Sequence, residues 1–124
     1  MNKKVMIIDD DQELLEELKD ALEPNGYDVV VLADAGAALD VAGSLKPDCI
    51  LLDLKMPKKS GFRVADELKH FQELSHIPII VITGVLKEDY LPLMNLCGIQ
   101  KCIKKPFTPM DIISNIEQVL AEEK

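Results

Sequence analysis

No stretch of this 124-residue chain strings together the roughly 18–20 apolar residues that a bilayer-crossing helix needs. The N-terminal MNKKVMIIDD runs into acid straight after VMII, so it is no secretory signal and no membrane contact is expected. Basic charge is short as well: 14 Lys and Arg stand against 22 Asp and Glu, a net charge of −8. A nucleic-acid surface needs clustered Lys and Arg to neutralise phosphates, so direct nucleic-acid binding is not expected. The three cysteines, Cys49, Cys97 and Cys102, are odd in number and lack CxxC or Cys/His zinc spacing. Cys49 falls in an apolar run and reads as a small buried hydrophobe, which suits a reducing, cytoplasmic setting. His70 and His76 have no metal partner at useful spacing and read as surface residues. There is no repeat, linker or low-complexity segment, and AEEK reads as a solvated end. A single domain over 1–124 is the expectation.

What is present is a soluble composition, 48% apolar and 29% charged, in a chain long enough to bury a core. Short strand runs alternate with helical patterns. The strands read VMIID (5–9), YDVVVL (27–32), CILLD (49–53), IPIIVIT (77–83) and KCI (101–103). Near-continuous Ile, Val and Leu in the first, third and fourth predict strands buried on both faces. Helices with one apolar face are predicted over 11–23 (Leu14, Leu15, Leu18, Leu22) and 35–46 (Ala38, Val41, Ala42, Leu45). Two more follow over 62–74 (Val64, Leu68, Phe71) and 109–122 (Ile112, Ile113, Ile116, Val119, Leu120). Thr108, Pro109 and Asp111 suit the cap, first residue and third residue of the last helix. A helix over about 88–97 contains Pro92, which is tolerated only in a first turn, so its start is expected near Leu91. Strand–helix alternation implies right-handed crossovers and a parallel sheet covered on both sides.

Polar residues mark the C-terminal ends of these strands: Asp9 and Asp10, Asp53, Thr83, and Lys105 just after KCI. Open α/β sheets place their ligand site at that edge. Carboxylates, a hydroxyl and an ammonium converging there suit a magnesium ion and a phosphoryl group. Magnesium takes hard oxygens and keeps several waters. Asp10 and Asp53 fit as direct ligands, Asp9 through water, and a backbone carbonyl just after Asp53, that of Lys55, could complete the share. Asp53 also fits a nucleophile, since aspartates form aspartyl-phosphates. Lys105 would neutralise phosphoryl oxygens and Thr83 would donate a hydrogen bond, because catalysis of this transfer is mostly positioning and charge neutralisation.

Taken together the motifs resemble the receiver domains of two-component response regulators, the CheY-like family, over the whole chain. IIDD carries the family's acidic pair at Asp9 and Asp10, and LLDLKMPKKSG its phosphorylatable aspartate at Asp53, with Met56-Pro57 and Gly61 at their usual offsets. VITG carries the switch threonine, Thr83, followed by the small Gly84, and KKPF carries the lysine, Lys105, before Pro106. The resemblance implies a flavodoxin-like (βα)5 fold with strand order 2-1-3-4-5 and a Lys-Pro peptide that is commonly cis. It implies a magnesium-dependent switch phosphorylated at Asp53 by the phosphohistidine of a sensor histidine kinase or phosphotransfer protein, or by a small phosphodonor. The domain is then no enzyme beyond its own phosphorylation and autodephosphorylation. Output or homodimerisation would use the surface of the fourth helix, fifth strand and fifth helix. In LPLMNLCG (91–98), core packing accounts for Leu93 or Met94 and Cys97 but hardly for Leu91 and Leu96, which points to a partner surface there.

Two positions depart from the pattern. Cys102 stands where receivers usually carry the Tyr or Phe that turns inward when the threonine moves. Lys55 stands where family members vary and tune phosphoryl lifetime. Other classes fit less well. A DxD phosphatase needs an acid at position 55, and a flavin or nucleotide binder needs a glycine- or hydroxyl-rich loop where Asp9 and Asp10 stand. The alternative within the fold is a receiver-like protein-binding module that is not phosphorylated, favoured by Cys102. No output domain follows in this sequence, which fits either a stand-alone receiver or a piece of a larger regulator.

Overall fold

Short runs of β-branched residues, whose side chains suit an extended backbone, form the strands of one sheet. In the computed structural model, which describes residues 2–84 and 87–122, these are β1 (Lys3–Ile8), β2 (Tyr27–Leu32), β3 (Cys49–Asp53), β4 (Ile79–Thr83) and β5 (Ile99–Lys104). They pair in parallel in the order β2-β1-β3-β4-β5, as the resemblance implies. The helices are α1 (Gln12–Leu22), α2 (Ala38–Leu45), α3 (Gly61–Lys69), α4 (Tyr90–Leu96) and α5 (Pro109–Glu122). Of the AEEK end, Glu123 and Lys124 lie outside the described residues.

Side chains alternate across the sheet along each strand, so the same runs feed two cores. Val5, Ile7, Leu51, Ile80 and Ile82 pack under α1 and α5, against Leu18, Leu22, Ile112 and Ile116. Met6, Ile8, Ile50, Leu52 and Val81 pack under α2, α3 and α4, against Ala42, Val64, Leu68 and Met94. Because β1 lies between β2 and β3, the crossovers change sides there. The carboxyl ends of β1 and β3 therefore flank a crevice, the place where such sheets hold ligands.

Helix starts follow the expected capping chemistry. Asp11 accepts the Leu14 N–H at 3.2 Å and so caps α1, which leaves Asp9 and Asp10 to other work. Thr108 and Asp111 cap each other: the Thr108 N–H donates to Asp111 Oδ2 at 2.9 Å, and the Asp111 N–H to Thr108 Oγ1 at 3.2 Å.

Several boundaries differ from the sequence reading. β1 ends at Ile8, so Asp9 follows the strand, its N–H donating to the Leu32 carbonyl at 3.1 Å. β5 begins at Ile99, two residues early, across a register shift opposite Ile79 and Ile80. The helix expected to reach residue 74 stops at Lys69, and hydrogen-bonded turns continue to Ile77. Those turns bury Leu74 and Ile77 but turn Phe71 outward, to 50% exposure, so Phe71 is not on a core face. α4 starts at Tyr90, with Pro92 inside its first turn, where its missing N–H costs nothing. Met94 and Cys97 are buried there, whereas Leu91 and Leu96 are 54% and 69% exposed. Leu93 is exposed too.

Candidate functional site

Asp53 is the last residue of β3 and Thr83 the last of β4, while Asp9 and Lys105 come one residue past β1 and β5. The sheet register brings these four to one edge. Asp9, Asp53 and Thr83 are the buried polar residues among those described, at 0%, 4% and 1% exposure. Asp10, beside them, is exposed. One carboxylate oxygen from each of Asp9, Asp10 and Asp53 lies within 4.8 Å of the other two.

Lys105 answers part of this charge. Its Nζ is 2.8 Å from Asp9 Oδ2 and 3.9 Å from Asp53 Oδ2. The second oxygen of Asp9 accepts the Asp11 N–H at 2.9 Å. Asp53 Oδ1 accepts the Lys55 N–H at 3.3 Å, so the start of the following turn is folded over the carboxylate. The backbone joins two site residues directly, the Lys105 N–H donating to the Thr83 carbonyl at 2.7 Å. The Lys105–Pro106 peptide is cis.

Electrostatically the site is under-neutralised. Burial pushes the Asp53 carboxyl up from its ordinary 3.8 to about 6, and the neighbouring Asp9 adds to this. Lys105 and the Lys55 N–H pull the other way, and Asp10 pushes it up again. Three hard-oxygen carboxylates, two of them buried and sharing one ammonium, suit a small divalent cation whose charge would relieve them.

Cys102 pairs with Val81 on β5 and is half-buried on the α4 side of the sheet, against that core. Burial pushes its thiol up from the ordinary value. Lys55 has an exposed side chain. Two features escaped the sequence reading. A Cβ on Gly61 would lie 2.2 Å from the Asp53 carbonyl oxygen and 2.8 Å from Leu54 Cα, so the first turn of α3 rests on the backbone of the acidic site. Lys59, in the turn after Asp53, pairs with Glu67 of α3 at 2.5 Å. The only available signal was LKMPKKSG itself, in which one lysine looks like another.

The family model of the response regulator receiver domain matches residues 5–117. The chain belongs to this family. Receiver domains serve phosphorylation-based signalling and generally bind magnesium at an acidic pocket. Among curated relatives, this receiver is 33% identical over 121 residues to the alkaline phosphatase synthesis transcriptional regulatory protein PhoP of Bacillus subtilis. It covers 49% of that protein, so it spans about half the length of that relative. It is 32% identical over 122 residues to the polar-differentiation response regulator DivK of Brucella ovis, covering 98% of this chain and 99% of DivK. A CheY-like receiver domain protein from Methanospirillum hungatei superposes with a TM-score of 0.93 at 27% identity, covering 99% of this chain and 97% of that one. The Vibrio cholerae chemotaxis protein CheY4, at 24% identity and a TM-score of 0.92, shares the fold, over 96% of this chain and 99% of its own. Among the described residues no helix is long and apolar enough to cross a membrane.

Proposed function

We propose that this receiver is a phosphorylation-operated switch in which Asp53 is the phosphoryl acceptor. The observation that supports it best is Lys105 Nζ, 2.8 Å from Asp9 and 3.9 Å from Asp53, poised beside the carboxylate that would be modified. One Asp53 oxygen attacks the phosphorus of a donor. The bond to the leaving group breaks, an imidazole for a phosphohistidine of a sensor kinase or phosphotransfer protein, an acetate for acetyl phosphate. Charge neutralisation and positioning dominate such transfers. Asp10, Asp53 and the Lys55 carbonyl would hold magnesium directly and Asp9 through water; the bound ion offsets charge on the transferring oxygens. Lys105 neutralises a second oxygen and Thr83, buried at the end of β4, donates to a third. The chain turns over no separate substrate.

The output is proposed at the surface of α4, β5 and α5, where exposed Leu91, Leu93 and Leu96 offer apolar area to a partner or a second copy. Cytoplasmic location and a single receiver unit over 1–124 belong to the same reading. The test is the mass of the intact protein after acetyl phosphate, with and without magnesium, for wild type and Asp53→Asn. One phosphoryl group added only with magnesium, and none in the variant, is expected. No addition to wild type would leave the unphosphorylated binding module, the reading that Cys102 favours.

A second expectation concerns Lys55. Its backbone N–H bonds the acceptor carboxylate and its side chain is exposed, so the ammonium is free to reach phosphoryl oxygens or obstruct the attacking water. Lys55→Asn should lose the phosphoryl group several-fold faster than wild type, followed as decay of the phosphorylated mass. Equal lifetimes would sink the idea.

A further inference from the structure

Between Asp53 and α3 the chain makes a turn, residues 54–60, whose shape is costly. Lys58 has φ of 70°, in the left-handed region, where the Cβ of an L-residue crowds the following carbonyl oxygen. The turn closes on itself through the Lys59 N–H donating to the Pro57 carbonyl at 2.7 Å and the Gly61 N–H to the Leu54 carbonyl at 3.0 Å. Ser60, at the end of the turn, caps α3, its Oγ accepting the Arg63 N–H at 3.3 Å, but none of these bonds reaches beyond the first turn of the helix. Lys59 does, with its Nζ 2.5 Å from Glu67 Oε1, one and a half turns into α3. Arg63 Nε approaches the other Glu67 oxygen at 3.7 Å. The Lys59 and Glu67 side chains are 19% and 31% exposed, whereas the Lys46–Glu73 pair is 64% and 79% exposed. Charges half withdrawn from water attract more strongly than exposed ones, so this pair is suited to hold a strained turn.

We infer that the Lys59–Glu67 pair positions the phosphoryl site, holding the turn in the one shape that presents the Lys55 carbonyl beside Asp53. This rests on the reading of Asp53 and its neighbours as the magnesium and phosphoryl site. Lys59 is a positioning residue, acting through the turn and touching neither ion nor phosphoryl group. A site that is formed only part of the time binds more weakly by the fraction formed. Releasing Lys59 lets Lys58 leave the left-handed region and lowers that fraction.

The experiment has two readouts, both without phosphorylation. The first is amide hydrogen exchange of Lys59 and Gly61 in the metal-free protein. The second is magnesium affinity by calorimetry, since the chain has no tryptophan to report binding. Lys59→Met and Glu67→Gln should each speed exchange and weaken magnesium by about three- to ten-fold. Lys59→Arg, which keeps the charge and reaches the same carboxylate, should match wild type, as should Lys46→Met at the exposed pair. In a Lys58→Gly background, where the left-handed φ is free, Lys59→Met should cost much less. Normal magnesium binding and unchanged exchange in Lys59→Met and Glu67→Gln would overturn this inference alone. A wild type that takes up no magnesium would overturn the site reading beneath it, a result the variants cannot mimic.

Discussion

Replacing Asp53 by Asn should make the metal-free protein melt about 5 to 10 °C higher while removing its ability to accept a phosphoryl group. The stability gain comes from the crowding of acids that makes the site. In the fold, Asp53 titrates near 6 instead of 3.8, because it is buried and faces Asp9 and Asp10. That difference corresponds to at most about 3 kcal/mol of cost for keeping the carboxylate charged at neutral pH, and Asn should recover about 2 of it. Asn keeps an oxygen for the Lys55 N–H, and Lys105 keeps its contact with Asp9 at 2.8 Å. The sign in pH follows from the raised value. The folded state holds its proton more tightly than the unfolded chain, so this group favours folding below about pH 4 and loses that contribution as pH rises through about 6. Melting curves for wild type and Asp53→Asn should therefore converge at low pH and part towards neutrality. Magnesium should close the gap by stabilising wild type, since an ion bound only by the folded state adds RT ln(1 + [L]/Kd). A variant that melts at or below wild type at pH 7 without metal would contradict the account.

The second large effect is expected at Gly61, one residue into α3. Gly61→Ala puts a methyl 2.2 Å from the Asp53 carbonyl oxygen and 2.8 Å from Leu54 Cα. Both are backbone atoms, so no side-chain rotation can relieve the clash. Either α3 backs away from β3, losing contacts of Val64, Ala65 and Leu68, or the end of β3 moves and takes the carboxylate with it. Overpacking of this kind costs about 1–3 kcal/mol, and a rigid backbone neighbour places this case at the upper end or beyond. Denaturant unfolding of Gly61→Ala should show that loss, and phosphorylation by acetyl phosphate should slow more than ten-fold. Wild-type stability together with a wild-type rate would mean that the close approach has no bearing on the site.

Much of this site was legible because its chemistry lies at strand ends, and the strands announce themselves. Asp53 and Thr83 each close an uninterrupted run of Ile, Val and Leu, and parallel pairing then leaves one edge for them to share. The apolar period also named the buried faces of α1 and α5 residue by residue. It failed at Phe71, where the pattern continues but the chain has already left the helix. Past Lys69 the bonds mix i to i+3 with i to i+4, so the residues no longer share one helical face, and Leu74 stays buried while Phe71 is exposed. Periodicity cannot tell such turns from a helix. The Lys59–Glu67 pair was illegible for another reason: it joins a turn to a helix across eight residues, a distance set by the fold. The outward-facing leucines of α4 were anticipated by excess, there being more apolar side chains than one buried face can use.

The hydrogen bond from the Lys105 N–H to the Thr83 carbonyl has a mechanical consequence. At 2.7 Å it welds the tips of β4 and β5, so the two residues that would grip a phosphoryl group are one moving part with two handles. Pulling either handle would drag the other, so the two adjustments are coupled and not independent. Cys102 lies three residues back along the same lever, too slight to act as a swinging gate. On the proposed switch reading, what would reach the leucines of α4 is the displacement of the lever itself, carried by main chain and independent of any rotating side chain.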